Sequence, residues 1–160
     1  KSPISYSGYM VFWFCLWLLS TYITYLKKLK TFIKPGISTL EINDFCHGMI
    51  IENNAIPAPL NYKGFPKSIC TSVNHVVCHG IPNKDKILNQ GDIINVDVTV
   101  ILNGWHGDSS RMYTVGAINK KIYSLLKTTY ECLLIGIKSA IPDFLERLKR
   151  AVDEDNKKHK

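Results

Sequence analysis

Apolar and polar residues alternate through most of Gly91–Val115, and the alternation is interrupted once, at Asn103-Gly104. Asparagine and glycine both tolerate positive φ, so this dipeptide between two β-branched runs is the strongest short signal for a β-hairpin. A two-residue turn places Leu102 opposite Trp105 and thereby fixes every other pair. The pattern predicts two antiparallel strands in a defined register.

Side chains alternate across a strand, so this register predicts one polar and one apolar face. The polar face carries Asn95, Asp97, Thr99, His106, Asp108 and Ser110. The apolar face carries Ile94, Val96, Val98 and Val100. Asp97 and Asp108 become diagonal neighbours, about 7–8 Å apart at Cα. Two carboxylates at that separation can bind one metal ion or bridge two; the alternative is a solvated polar face with two incidental acids.

The rest of the central sequence predicts a mixed α and β chain. Ser38-Thr39 with Glu41 resembles a helix N-terminal cap. The proline-rich segment Ala55–Pro66 predicts a loop with short extended pieces. Ser68–Val77 predicts a strand, and Asn119–Ala140 predicts a helix that stops before Pro142.

Both ends differ from this central region. Residues 9–26 are uncharged and aromatic-rich, and they precede a cluster of lysines. Eighteen such residues lie at the lower edge of the ~20 that cross a bilayer core, and the lysines would place the rest in the cytoplasm. The alternative is a buried helix or a stretch foreign to the fold. We therefore divide the chain into three parts: an apolar segment at 1–30, a domain at 31–142 and a charged tail at 143–160. The apolar segment is either a candidate membrane anchor or a stretch from outside the family.

Composition narrows the class of protein. With 160 residues and 46% hydrophobic content, the chain can build one core but not two full domains. Lysine clusters near both ends account for much of the net charge of +7; without a nucleic-acid-binding signature they predict solvated tails and no specific nucleic-acid partner. Five cysteines without a CxxC pair indicate a reducing compartment. Cys78, next to His79, is expected to be a buried thiol.

Three segments resemble the first half of type I methionine aminopeptidases: KPGISTLEIN, AIPAPLNYKGFPKSICTSVNHVVCHGIP and GDIINVDVTVILNGWHGDSSRMYTVG. The resemblance runs from about Thr31 to Pro142, roughly two thirds of the chain. The resemblance implies an α+β fold, the first half of the pita-bread fold, with an antiparallel sheet and covering helices.

The resemblance also implies roles for individual residues. Asp97 would be a bidentate ligand of one metal ion, and Asp108 would bridge two. His79 would be catalytic, contacting substrate and stabilising the tetrahedral intermediate. The wall of the apolar pocket for the methionine side chain would contain Tyr62, Phe65 and Cys70. Pro59 lies at a wall position where the family often has a small or thiol residue, and Thr99 would lie beside the metals. His75 and His106 have no such support, and we expect both to be structural or solvent-facing.

The implied function is metal-dependent removal of N-terminal methionine. The cofactors would be two divalent ions (Co, Mn, Fe or Zn). The partners would be methionyl peptides or nascent chains, and nascent chains imply the ribosome as a further partner. The location would be cytoplasmic, or associated with the inner membrane and facing the cytoplasm if residues 9–26 act as an anchor. The alternatives are a non-catalytic pita-bread-like binding module and a membrane-anchored fragment.

Departures from the family lead to a further expectation. The remaining family ligands, one histidine and two glutamates, find no counterpart after Pro142. We therefore expect a truncated or disrupted copy of the N-terminal half, with weakened metal binding and little or no activity alone. A disrupted gene and a genuine membrane-anchored variant both remain open at this point.

Overall fold

The structure, a computed structural model, describes residues 27–139. Its elements in chain order are helix α1 (Thr39–Glu52), strand β1 (Ile56–Pro57), a 3₁₀ turn (Tyr62–Gly64), strands β2 (Cys70–Val73), β3 (Ile93–Leu102) and β4 (Trp105–Thr114), and helix α2 (Lys120–Ser139). Residues 27–32 are also helical. The apolar segment at 9–26 and the charged tail at 143–160 lie outside the described residues, as does the predicted helix stop at Pro142.

The predicted hairpin is formed by β3 and β4. The strands pair antiparallel along their whole length, with Leu102 opposite Trp105 and Thr99 opposite Asp108. The turn residues Asn103 and Gly104 have φ angles of 50° and 81°. Positive φ at both positions is characteristic of the type I′ turn, whose twist matches that of the flanking strands. The register predicted from the alternation is confirmed.

Strand β3 is the centre of a four-stranded antiparallel sheet. Strand β4 pairs along one side of β3. On the other side β2 pairs with the first part of β3, and the short β1 pairs with its last part. Thr71 of β2 lies opposite Val96, and Cys70 lies opposite Asp97. Cys70 therefore shares the polar face of the hairpin, while Thr71 shares its apolar face.

The core lies between α1 and the apolar face of the sheet. The β3 side chains that point into it are Ile94, Val96, Val98 and Val100, all buried. Helix α1 contributes Ile42, Cys46 and Ile50 to the same cluster. Burying a valine or isoleucine side chain stabilises a fold by about 1.5–3 kcal/mol. This packing leaves the opposite face of the hairpin available for polar chemistry.

Helix α1 begins with a complete capping box. The Ser38 hydroxyl accepts a hydrogen bond from the Glu41 backbone N–H at 3.1 Å, and the Ser38 N–H donates to Glu41 Oε2 at 2.8 Å. Two N–H groups that have no partner within the helix are thereby satisfied. The Ser38 hydroxyl also donates to Glu41 Oε2 at 2.7 Å. This bond, followed by the bond from the Ser38 N–H, lowers the pKa of the Glu41 carboxyl below its ordinary value of 4.5.

The predicted strand at Ser68–Val77 is longer than the observed β2. Pairing ends after Val73 because Asn74 adopts a left-handed φ of 53°. Its side chain accepts from the Ile93 N–H at 3.1 Å and donates to Asp92 Oδ1 at 2.8 Å. All four residues of β2 are buried, so their burial does not alternate as it does in a half-exposed strand.

The boundary between two compact units lies between Ile118 and Asn119. Within the second unit, α2 matches the helix predicted over Asn119–Ala140 to within one residue at each end of the described range. None of its residues is buried; Lys127 and Glu131 form an ion pair at 3.8 Å. Among the residues that the structure describes, no helix combines the length and apolarity needed to cross a membrane.

The capping box generates a first prediction. We expect Ser38→Ala to lower the free energy of unfolding by about 1 kcal/mol at neutral pH, because the mutation removes one side-chain acceptor from the start of α1. Glu41→Gln should be destabilising at neutral pH only. The folded Glu41 pKa is lowered, so ionised Glu41 stabilises the fold above 4.5 and this contribution is lost as the pH falls through the folded value.

Urea unfolding followed by circular dichroism, repeated across the acid range, measures both effects. Ser124→Ala, at an exposed position in α2, controls for replacement of a serine by alanine in a helix. A Glu41→Gln deficit that grows on acidification would contradict the assigned role of the carboxylate.

Burial of the thiols generates a second prediction. Cys46 and Cys70 are buried, whereas Cys78 and Cys132 are exposed, and burial raises the pKa of Cys46 to about 12. Since the thiolate is the reactive form, iodoacetamide should alkylate Cys78 and Cys132 quickly and the other two only after unfolding. Peptide mass mapping resolves each site and keeps Cys15, outside the described residues, separate. Rapid labelling of Cys46 in the folded chain would contradict the core described above.

Candidate active site

An open cavity of about 800 Å³ lies over the polar face of the hairpin. One wall is the sheet, where β3, β4 and β2 present their polar side chains. A second wall is the segment between β1 and β2, which includes the 3₁₀ turn. The third is the loop that follows β2. The lining residues used below are Tyr62, Lys63, Phe65, Cys70, His79, Ile81, Asp97, Thr99, His106 and Asp108.

All six of the predicted site residues line this cavity. Two are the expected metal ligands, one is the expected catalytic histidine and three are the expected pocket-wall residues: Asp97, Asp108, His79, Tyr62, Phe65 and Cys70. Pro59 and Thr99 line it as well. The structure thus brings together residues from four separate parts of the chain, and their individual roles remain predictions.

The two carboxylates interact directly with their surroundings and with each other. Thr99 Oγ1 donates a hydrogen bond to Asp108 Oδ1 at 2.9 Å, since the hairpin register places these residues opposite each other. Partial burial raises the pKa of Asp97, and the negative charge of Asp108 raises it further. The charge of His79 acts in the opposite direction, and a hydrogen bond with Asp108 again raises the pKa.

Two like charges held this close repel each other unless a proton or a cation lies between them. Carboxylate oxygens are hard donors, which suits them to divalent cations, so the chemistry of this pair fits a metal ion. Within residues 27–139, however, no three side chains of His, Cys, Asp or Glu come together as a metal-binding group. The described residues therefore offer two metal donors at this site.

His79 reaches the cavity from the loop after β2. It adopts a left-handed φ of 54°, which is uncommon for residues other than glycine. The next residue, Gly80, accepts a hydrogen bond from the Thr71 N–H at 2.8 Å and donates to Ser72 Oγ at 3.2 Å. A Cβ at Gly80 would overlap the Thr71 carbonyl. Glycine thus lets the loop lie directly against β2, which fixes the position from which the exposed His79 extends.

The apolar wall is built by tight turns. The Tyr62 N–H donates to the Pro59 carbonyl at 3.0 Å, and the Phe65 N–H donates to the Tyr62 carbonyl at 2.9 Å. Together these bonds hold both aromatic residues at the cavity. Cys70 completes this lining from β2. Burial, followed by the negative charge of Asp97, raises the pKa of Cys70 to about 11, so the thiol is neutral at physiological pH and acts as a small apolar group.

Several lining residues were missed or misassigned from the sequence. His106, expected to be structural or solvent-facing, is exposed, in agreement with the second alternative, and it also lines the cavity; its place two residues before Asp108 on the same polar face was the signal for that lining position. Lys63 and Ile81 line it too, and their proximity to Tyr62 and His79 would have indicated them. Cys78 was expected to be buried and is exposed, because β2 ends before it and the loop carries it outward.

Comparisons with known proteins bear on this arrangement. The model of metallopeptidase family M24 matches residues 23–155. A methionine aminopeptidase from Rickettsia prowazekii is 61% identical over 110 residues, which are 69% of this chain and 42% of that protein. A methionine aminopeptidase from Haemophilus influenzae is 46% identical over 132 residues, or 81% of this chain and 49% of that protein. The chain therefore spans less than half the length of these curated relatives.

Solved structures agree with the sequence comparisons. The crystal structure of the Rickettsia prowazekii methionine aminopeptidase superimposes with a TM-score of 0.66 at 60% identity, covering 68% of this chain and 44% of that one. A methionine aminopeptidase from Thermotoga maritima superimposes with a TM-score of 0.73 at 30% identity, covering 76% and 49%. The predicted α+β pita-bread architecture is confirmed, with only part of that fold present. This chain belongs to metallopeptidase family M24.

Proposed function

We propose that this chain contributes the first half of a metal-dependent site that removes N-terminal methionine from polypeptides. One observation carries the proposal: Asp97, Asp108 and His79 line the same cavity as the aromatic wall of Tyr62 and Phe65. An acidic pair next to an apolar pocket suits a ligand with a cationic amino end and an apolar side chain. Methionine at a free N-terminus has both features.

The roles that we propose follow the placement of each group. Asp97 and Asp108 would hold divalent cations, with Thr99 orienting Asp108 through its hydrogen bond. His79, close enough for its charge to act on Asp97, would donate a hydrogen bond to the scissile carbonyl as negative charge develops there. Divalent cations bound by carboxylates supply catalysis by lowering the pKa of water and by polarising a carbonyl group.

The substrates that we propose are methionyl peptides and nascent chains, the latter at the ribosome, in the cytoplasm. The names of the relatives support the reaction, and the apolar wall of the cavity supports the side-chain preference. A membrane location would depend on residues 9–26, outside the described part of the chain. The metal would be Mn²⁺, Fe²⁺, Co²⁺ or Zn²⁺, which carboxylate ligands accommodate.

We expect the 160-residue chain by itself to bind metal weakly and to release methionine at a rate close to that of free metal ions. The reason is the donor count among residues 27–139: the two carboxylates that these residues bring together leave most positions around two cations to water. A non-catalytic role as a peptide-binding module is the alternative that this donor count favours. The peptidase and the peptide-binding module would use the same cavity, but only the peptidase would hydrolyse the bound peptide.

Metal binding tests the role of the acidic pair. Titration of the chain with Mn²⁺, with free Mn²⁺ measured by electron paramagnetic resonance, should show weak binding that falls about tenfold or more in Asp97→Asn and in Asp108→Asn. Asp85→Asn removes the same charge from an exposed loop position away from the cavity, and we expect it to bind like the wild type. An equal loss in all three variants would show that net charge, not the cavity, attracts the ion.

Peptide binding tests the role of the apolar wall. In the presence of Mn²⁺, Met-Ala-Ser amide should bind at least several-fold more tightly than its N-acetylated form or Lys-Ala-Ser amide, since only the first offers both an amino group and an apolar side chain. Tyr62→Ala should weaken this binding, whereas Tyr123→Ala, in the second unit, should not. Equal affinity for Met-Ala-Ser amide and Lys-Ala-Ser amide would overturn the proposal. Methionine release above the metal-only background would instead overturn the expected inactivity.

A further inference from the structure

Charged side chains are distributed unequally around the cavity. The sheet wall carries the two acids Asp97 and Asp108, whereas the wall between β1 and β2 carries Lys63. His79 and His106 are the remaining titratable nitrogen bases of the lining. Among the described residues that line the cavity, Lys63 is thus the only lysine or arginine, the two residue types whose high ordinary pKa keeps them cationic at neutral pH. A cavity of this kind presents an acidic wall and a basic group on another wall.

The backbone of the 3₁₀ turn holds Lys63 in an unusual conformation. Its φ of 48° lies in the left-handed region, between Asn61 at 67° and Gly64 at 82°. Left-handed φ costs a non-glycine residue about 1–2 kcal/mol, so neighbouring bonds must hold it. The Asn61 N–H donates to the Phe65 carbonyl at 2.8 Å and closes the turn around Lys63. The position of the lysine is therefore tied to that of the aromatic wall.

The ammonium group of Lys63 is placed near this wall and without an acidic partner. Its Nζ lies 5.5 Å from the centroid of the Tyr62 ring, a distance at which a cation is attracted to the face of the ring. No carboxylate oxygen among residues 27–139 lies within 4.0 Å of it. The side chain is exposed, so a ligand in the cavity can reach the charge.

We propose that Lys63 is a specificity-determining residue that favours peptides carrying a carboxylate downstream of the N-terminal methionine. This inference rests on the proposed function. The amino end and methionine side chain would occupy the acidic pair and the apolar wall, and the downstream carboxylate would pair with the Lys63 ammonium. The carboxylate can belong to an aspartate or glutamate side chain or to the free C-terminus of a short peptide.

Two pairs of peptides separate these sources of the carboxylate. Met-Ala-Asp-Ala amide against Met-Ala-Asn-Ala amide tests the side chain, and Met-Ala-Ser as free acid against its amide tests the C-terminus. Binding is measured by calorimetry with Mn²⁺ present, and methionine release is quantified in the same samples. An exposed ion pair in water is weak, so we expect the acidic member of at least one pair to bind about twofold to fivefold more tightly.

Variants then assign the preference to Lys63. Lys63→Glu should reverse it, Lys63→Arg should keep it, and Lys63→Asn, a residue that tolerates left-handed φ, should abolish it. Lys84→Glu makes the same change of charge at an exposed position outside the cavity and should behave like the wild type. Circular dichroism confirms folding; if Lys63→Glu does not fold, Lys63→Asn decides.

Equal binding of the two members of both pairs in the wild type, or a preference that survives Lys63→Asn, would overturn the inference while leaving the proposed function intact. Failure of every methionyl peptide to bind would overturn the proposed function, and the inference with it. A preference confined to one pair supports the inference and identifies which carboxylate Lys63 recognises.

Discussion

The register of the β3–β4 hairpin is the constraint on which the rest of the site depends. Asn103 and Gly104 both adopt positive φ, and the resulting two-residue turn fixes which residues lie opposite each other. A shift of one residue would move every side chain of a strand to the other face. Asp97 would then enter the core and Val98 would enter the cavity. Packing of the apolar face against α1 therefore protects the chemistry of the polar face, since a shift of one residue would turn these apolar side chains out of the core.

The same constraint explains why the site is electrostatically costly. The hairpin holds two carboxylates together; partial burial raises the pKa of Asp97, and the negative charge of Asp108 raises it further. The Thr99 hydroxyl and the nearby His79 offset part of the repulsion. Lys63, on another wall, carries one positive charge and forms no ion pair with either acid. Such an arrangement favours ligands that bring a cationic group to the sheet wall, where the two acids lie.

Local signals predicted local structure well. The hairpin, its register and the capping box at Ser38 follow from turn and cap chemistry, and all three are confirmed. The family resemblance supplied the residues of the loop walls, which no periodicity could have brought to one cavity. Predictions from the sequence failed where tertiary contacts determine the structure. Strand β2 was predicted to be longer, but it stops at Asn74, whose side chain forms hydrogen bonds with Asp92 and Ile93. Cys78 was misjudged for the same reason, because the exposure of a side chain depends on what packs near it.

The hairpin also has a consequence for the order of assembly. Asp108 follows Asp97 by only eleven positions, and hairpins close within about 1–10 μs, whereas His79 and the aromatic wall depend on contacts made across longer stretches of chain. The acidic pair can therefore exist before the pocket around it does. A cation that binds this early element would stabilise it during folding, and repulsion between the acids would oppose its formation in the cation's absence. Cation supply would then influence how fast the chain matures as well as what the finished site can bind.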